Sequence, residues 1–177
     1  MIKINPSLKT WRIYFFILVA TQAYAQQTPQ QRLGQFFTWV SKTEQVPEEN
    51  DCFEMDGYDI SKIDDKCLQK YLANIQKTGF FSSIYMKNLK AEFTTMKATL
   101  KKEGMAQSRE ADRYLLSQDP PTMVQLLYAL KTSSTSKIEA NKAKVTVNIK
   151  KPYKQILIYN FDLEENIWKI SSIESPQ

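Results

Sequence analysis

The stretch Ala143-Lys144-Val145-Thr146-Val147-Asn148-Ile149 decides the fold. Val145, Val147 and Ile149 fall on one side, and Lys144, Thr146 and Asn148 on the other. Successive side chains of an extended chain point to opposite faces, so this alternation predicts a strand with one buried and one wet face. Downstream, Gln155–Leu163 sets Leu157, Tyr159, Phe161 and Leu163 on one face and Ile156 and Ile158 on the other. That predicts a longer strand, partly covered on both sides. Glu164-Glu165-Asn166 reads as a tight turn, and Ile167–Ile173, carrying Trp168 and Ile170, as the last strand. Consecutive strands with short turns predict an antiparallel meander. Past Pro121 the period changes, and Met123–Leu130 is read as a further strand.

Upstream the period is helical. Thr28-Pro29 is a helix start, with Thr as N-cap and Pro at the first helical position. Leu33, Phe36, Phe37 and Val40 follow on one stripe, predicting a helix from Pro29 to Thr43 that Gly34 weakens slightly. A second helix is predicted over Asp64–Lys77, with Leu68, Tyr71, Leu72 and Ile75 inward and Gly79 as its stop. A third is predicted over Ser83–Lys102, where Met86, Leu89, Phe93, Met96 and Leu100 recur, with Gly104 as its stop. Residues 44–60 read as a polar, acidic connection, and Ser108–Leu116 as a short helical turn broken by Asp119-Pro120-Pro121. Helices first and strands later define an α+β class, with N-terminal helices packed on an antiparallel meander.

Residues 1–25 read as a cleavable export signal. Lys3, Lys9 and Arg12 supply the positive start, Trp11–Ala20 the apolar core, and Ala23-Tyr24-Ala25 the small-x-small cleavage site. A membrane span needs about 20 apolar residues, roughly twice this core. No cysteine follows the site to carry a lipid anchor, and no transmembrane anchor is expected after it. The expected product is a periplasmic or secreted bacterial protein starting at Gln26, a single domain over 26–177. Removing 25 of the 177 residues leaves 152 and takes the net charge from +5 to +2. Nucleic-acid binding thereby loses its compositional support.

The chain has no histidine and two cysteines, Cys52 and Cys67. The missing imidazole excludes Ser-His-Asp and Cys-His catalysis as usually built, and His-based zinc sites. An even cysteine count in an exported chain favours a disulfide over two free thiols, and a metal pair would lack further soft ligands. A Cys52–Cys67 bond would pin the acidic connection to the second helix.

With these elements placed, the chain resembles the nuclear-transport-factor-2-like (cystatin-like) superfamily. Within it, the chain looks similar to an uncharacterised family of exported bacterial domains. The resemblance is carried by Phe36-Phe37-Thr38-Trp39, Gln118-Asp119 and the terminal Trp168-Lys169-Ile170-Ser171-Ser172-Ile173. It implies a cone-shaped, strongly curved sheet closed on one side by helices, with room for a ligand pocket. It implies no settled activity.

Trp39, Gln118, Asp119, Tyr128, Tyr159 and Trp168 are the pocket candidates. Aromatic side chains around a buried carboxylate can turn it into a general acid or base, although aromatics on amphipathic elements also simply fill cores. The acidic run Glu48, Glu49, Asp51, Glu54, Asp56, Asp59, Asp64 and Asp65 is dense enough to suggest calcium. In a calcium loop with Gly57 sixth, however, position one would be Cys52, so no metal site is assigned and the run reads as a solvated loop. Lys137, Lys142, Lys144, Lys150, Lys151 and Lys154 read as solubilising charge and protection of strand edges. Ser82-Ser83 and Ser133-Ser134 lack a base. No cofactor and no catalytic set is identified. The leading expectation is a binding module for a small molecule or a protein, an immunity-type partner included. A pocket enzyme using Asp119 and a tyrosine is the second expectation. A homodimer through the sheet is the third.

Overall fold

The computed structural model describes residues 27–42, 48–109, 111–150 and 154–176. The expected export signal, residues 1–25, lies outside them. Helix α1 spans Pro29–Val40 and opens with a full capping box: Thr28 Oγ1 accepts from Gln31 N at 3.2 Å, and Gln31 Oε1 accepts from Thr28 N at 2.9 Å. Leu33, Phe36 and Phe37 are completely buried. The helix stops three residues before the expected Thr43. Its last turn is closed by hydroxyls, Thr38 donating to Gly34 O and Ser41 to Thr38 O, the local bonds by which such residues compete with the helix.

The acidic connection is not an irregular loop. A 3-10 turn, Asn50–Cys52, leads into strand β1 (Phe53–Asp56), which pairs antiparallel with β2 (Asp59–Ile63) through a turn whose Gly57 has φ +63°. The hairpin was hidden because its exposed positions, Glu54, Met55, Asp56, Ser61 and Lys62, mix apolar with polar residues, and only Ile60 is fully buried, so no clean alternation marks it. A two-residue β3, Ala106–Gln107, adds to β2. Helix α2 spans Asp65–Lys77. The Asp64 carboxylate caps it, accepting from Lys66 N at 2.9 Å and Cys67 N at 3.1 Å. The Cys52–Cys67 disulfide is formed, with Cα atoms 5.3 Å apart, and ties the base of the hairpin to the first turn of α2. Helix α3 spans Ser83–Glu103 and ends at Gly104, where φ is +80°.

The predicted strand at Met123–Leu130 is a helix instead. Helix α4 spans Met123–Thr132, with a capping box between Thr122 and Gln125. Leu126 and Ala129 are buried, while Val124 and Tyr128 are 78% and 68% exposed. A short apolar run cannot be assigned by periodicity alone. Here the Thr-x-x-Gln start signal behind two prolines decides it. Within Ser108–Leu116 the expected short turn is confined to its second half, where Leu116 N donates to Asp112 O at 2.8 Å, and β3 ends just before the segment at Gln107.

The meander is present and has one strand more than the alternation showed. Strands β4 (Ser134–Glu139), β5 (Lys142–Ile149), β6 (Gln155–Glu164) and β7 (Ile167–Glu174) pair antiparallel in that order. β4 is polar apart from Ile138, as suits a sheet edge. The inward row Val145, Val147, Leu157, Tyr159, Phe161 and Ile170 is buried throughout. A register shift at Asn160/Phe161 leaves Ser171 as the extra residue on β7. Helices α1 and α4 lie on β5, and α1 and α3 on β7. The connector Phe80–Ser82 covers the edge of β7: Ser82 N donates to Ile170 O at 2.9 Å, and Ile170 N to Phe80 O at 2.8 Å. The architecture is α+β. Among the described residues no helix is long and apolar enough to cross a membrane.

Candidate functional site

Between the end of α1, the turn before β1 and the segment from Arg109 to Leu126 lies a half-open groove of about 390 Å³. Val40, Leu115, Pro120, Pro121, Met123 and Leu126 form its apolar wall; Glu48, Glu49, Tyr71, Arg109, Asp112 and Arg113 supply its polar side. The volume falls in the range of small-molecule sites.

The polar side is organised by Arg113, whose side chain is 9% exposed. Its Nε donates to Glu49 Oε2 at 2.7 Å, and its Nη1 and Nη2 donate to the two oxygens of Glu92 on α3 at 2.9 and 3.1 Å. This two-pronged geometry is what a planar guanidinium offers a carboxylate. Arg109 Nη2 adds a bond to Glu92 Oε1 at 2.9 Å. The face of Arg113 lies 5.5 Å from the centre of the Phe93 ring. Burial disfavours the Arg113 charge, but its bonds to Glu92 and the charges of Glu49 and Glu92 outweigh burial and hold the guanidinium protonated. Burial also raises Glu92, yet Arg113 and then Arg109 bring it below the usual carboxylate range.

Two phenols close the floor. Tyr71 and Tyr114 hydroxyls meet at 3.4 Å, and Tyr71 OH donates to Glu49 Oε2 at 3.5 Å. Burial, reinforced by the Glu49 charge, pushes Tyr71 up to about 12. Burial and then Tyr71 raise Tyr114 further. The turn presenting Tyr114 is held by Asp112, whose Oδ1 accepts from Tyr114 N at 2.8 Å and Leu115 N at 2.7 Å. Of these groups, the ones moved from their ordinary values do not exchange a proton near neutrality. They suit holding a ligand better than proton transfer.

None of the six pocket candidates lines this groove. Trp39 packs against Phe36, Phe80, Phe81 and Tyr114, with ring centres 5.6 to 6.3 Å away. Tyr159 is fully buried and donates to Tyr114 O at 2.9 Å, so it supports the floor from beneath. Trp168 is buried in the sheet opposite Leu163. Tyr128 faces outward from α4. Gln118 and Asp119 are exposed and line a more open depression beside the groove, with Leu116, Lys154 and Gln155. Trp39, Tyr159 and Trp168 are thus core residues, and only Gln118 and Asp119 stay together. The sequence marks Tyr71 only as an inward residue of α2 and Glu49 only as part of the acidic run, and it gives no role to Arg109, Arg113 or Tyr114. One signal was present: of the four arginines in this lysine-rich chain, Arg109 and Arg113 stand four apart, and arginine is the cation preferred in buried pairs.

Among the described residues no cluster of carboxylates and cysteines is arranged to hold a metal ion. No protein-family model matches the chain, and neither a curated protein nor a solved structure shows similarity to it.

Proposed function

We propose that this chain is an exported binding module of the nuclear-transport-factor-2-like (cystatin-like) type, which takes a small molecule or the side chains of a partner protein into the groove beside Arg113. The observation that carries the reading is the groove itself: a preformed concavity with one apolar wall and a polar side locked by ion pairs. Such preorganisation lowers the ordering cost of binding. The disulfide and the export segment agree on an oxidising destination. A pocket enzyme built on Asp119 has less support, because Tyr159 is buried beneath the Tyr114 turn and Tyr128 projects from the outer face of α4.

Two measurements test the proposal. Intact mass of the protein recovered after export is expected to match a chain starting at Gln26; a retained N-terminus overturns the export reading. Ligand-observed NMR with a library of small aliphatic and aromatic fragments is expected to find binders that Ser41→Trp, at the rim, displaces. Fragments that bind the variant equally well, or no binders at all, overturn the groove reading.

A further inference from the structure

The charges around the groove do not cancel, and this bears on what it accepts. Arg109, Arg113, Glu49 and Glu92 neutralise one another in a single network. That leaves Glu48 and Asp112, both exposed and both lining the groove, without an ion-pair partner among the described residues. Asp112 uses Oδ1 on two backbone N–H groups, and its second oxygen makes no further bond there. Val40 and Ser41 bring the C-terminal end of α1 to the same rim, and Met123 brings the N-terminal end of α4; their partial charges are opposite and offset each other, so the sign of the groove rests on the two carboxylates. Lys42, the residue after Ser41, does not line the groove.

From this we infer that the groove selects ligands with an apolar body and one cationic group, an alkylamine or a lysine- or arginine-type side chain. The apolar part lies on Leu115, Pro121, Met123 and Leu126, and the cation sits between Glu48 and Asp112. The inference rests on the groove being a binding site. It adds the sign of the ligand's charge, through the complementarity that discriminates between partners of similar shape.

The test uses three eight-carbon probes on the mature protein at low salt: octylamine, octanol and octanoate. Octylamine is expected to bind about tenfold tighter than octanol, the scale of two partly solvated ion pairs, and octanoate more weakly than either. The preference is expected to shrink as salt is added. Glu48→Gln with Asp112→Asn is expected to bring octylamine down to octanol; the Asn retains the oxygen that holds the turn. Glu48→Gln alone is expected to lose part of the preference and guards against misfolding of the double variant. Equal binding of octylamine and octanol, blocked by Ser41→Trp, overturns the cation inference and leaves the groove standing. Tightest binding of octanoate overturns it too, and points to the arginines. If none of the three binds, the groove reading falls along with it.

Discussion

The guanidinium of Arg113 is planar, and the structure uses that plane to hold Glu49 and Glu92 together. Removing the cation leaves Glu49 and Glu92 to the more exposed Arg109 alone. Breaking a buried pair costs about 3 to 5 kcal/mol. Arg113→Leu is therefore expected to destabilise the protein by about 3 kcal/mol, the low end, because Glu92 keeps over a third of its side chain in water. Urea unfolding at neutral pH measures this, and a loss below about 1 kcal/mol contradicts the role given to Arg113. The same pair carries an acid signature. Glu92 is lowered in the folded protein, so its contribution is complete above the unfolded carboxylate value of about 4.3 and is lost as pH falls through the lower folded value. The parent protein is expected to lose stability steeply below about pH 4.3, and Arg113→Leu less steeply.

At the scale of elements, the β1–β2 hairpin depends on its attachment. Ile60 is its buried anchor, while Glu54, Met55, Asp56 and Tyr58 are exposed, so burial alone holds it weakly. The disulfide fixes its base to α2, and Asp64 N donates to Cys52 O at 2.9 Å alongside. The cysteines are 15 positions apart, a loop for which a crosslink contributes about 3 kcal/mol in the chain-entropy model. Cys52→Ser with Cys67→Ser is expected to lower unfolding free energy by about that amount. Amide hydrogen exchange should quicken first over Asn50–Ile63, before the meander is affected. Uniform loosening across all elements would argue against this local tether. The three long helices that the sequence predicted carry a cap or stop matching their positions, which is why they were legible. α4 and β4 were not. The first is apolar on most sides, so packing decides its form, and the second has one apolar residue to set its period.

For the molecule as a whole, three of the four aromatic residues that looked like a pocket, Trp39, Tyr159 and Trp168, belong to its core instead. Phe36 touches the rings of Phe37, Trp39, Phe80, Phe81, Tyr114 and Tyr159, joining α1, the connector before α3, the Asp112 turn and the sheet. Edge-on contacts of this kind add specificity to apolar burial. By itself the sequence determined the α+β class, the α1 N-cap, the extent of α2, the antiparallel run of β5 to β7 and the cysteine pair. Each of these is written in neighbouring residues, through a period, a cap or a count. Only the tertiary structure decided where the groove lies and which side chains line it. Glu49, Glu92 and Arg113 meet across separations of 64 and 21 residues, and no local pattern records a meeting that packing alone brings about.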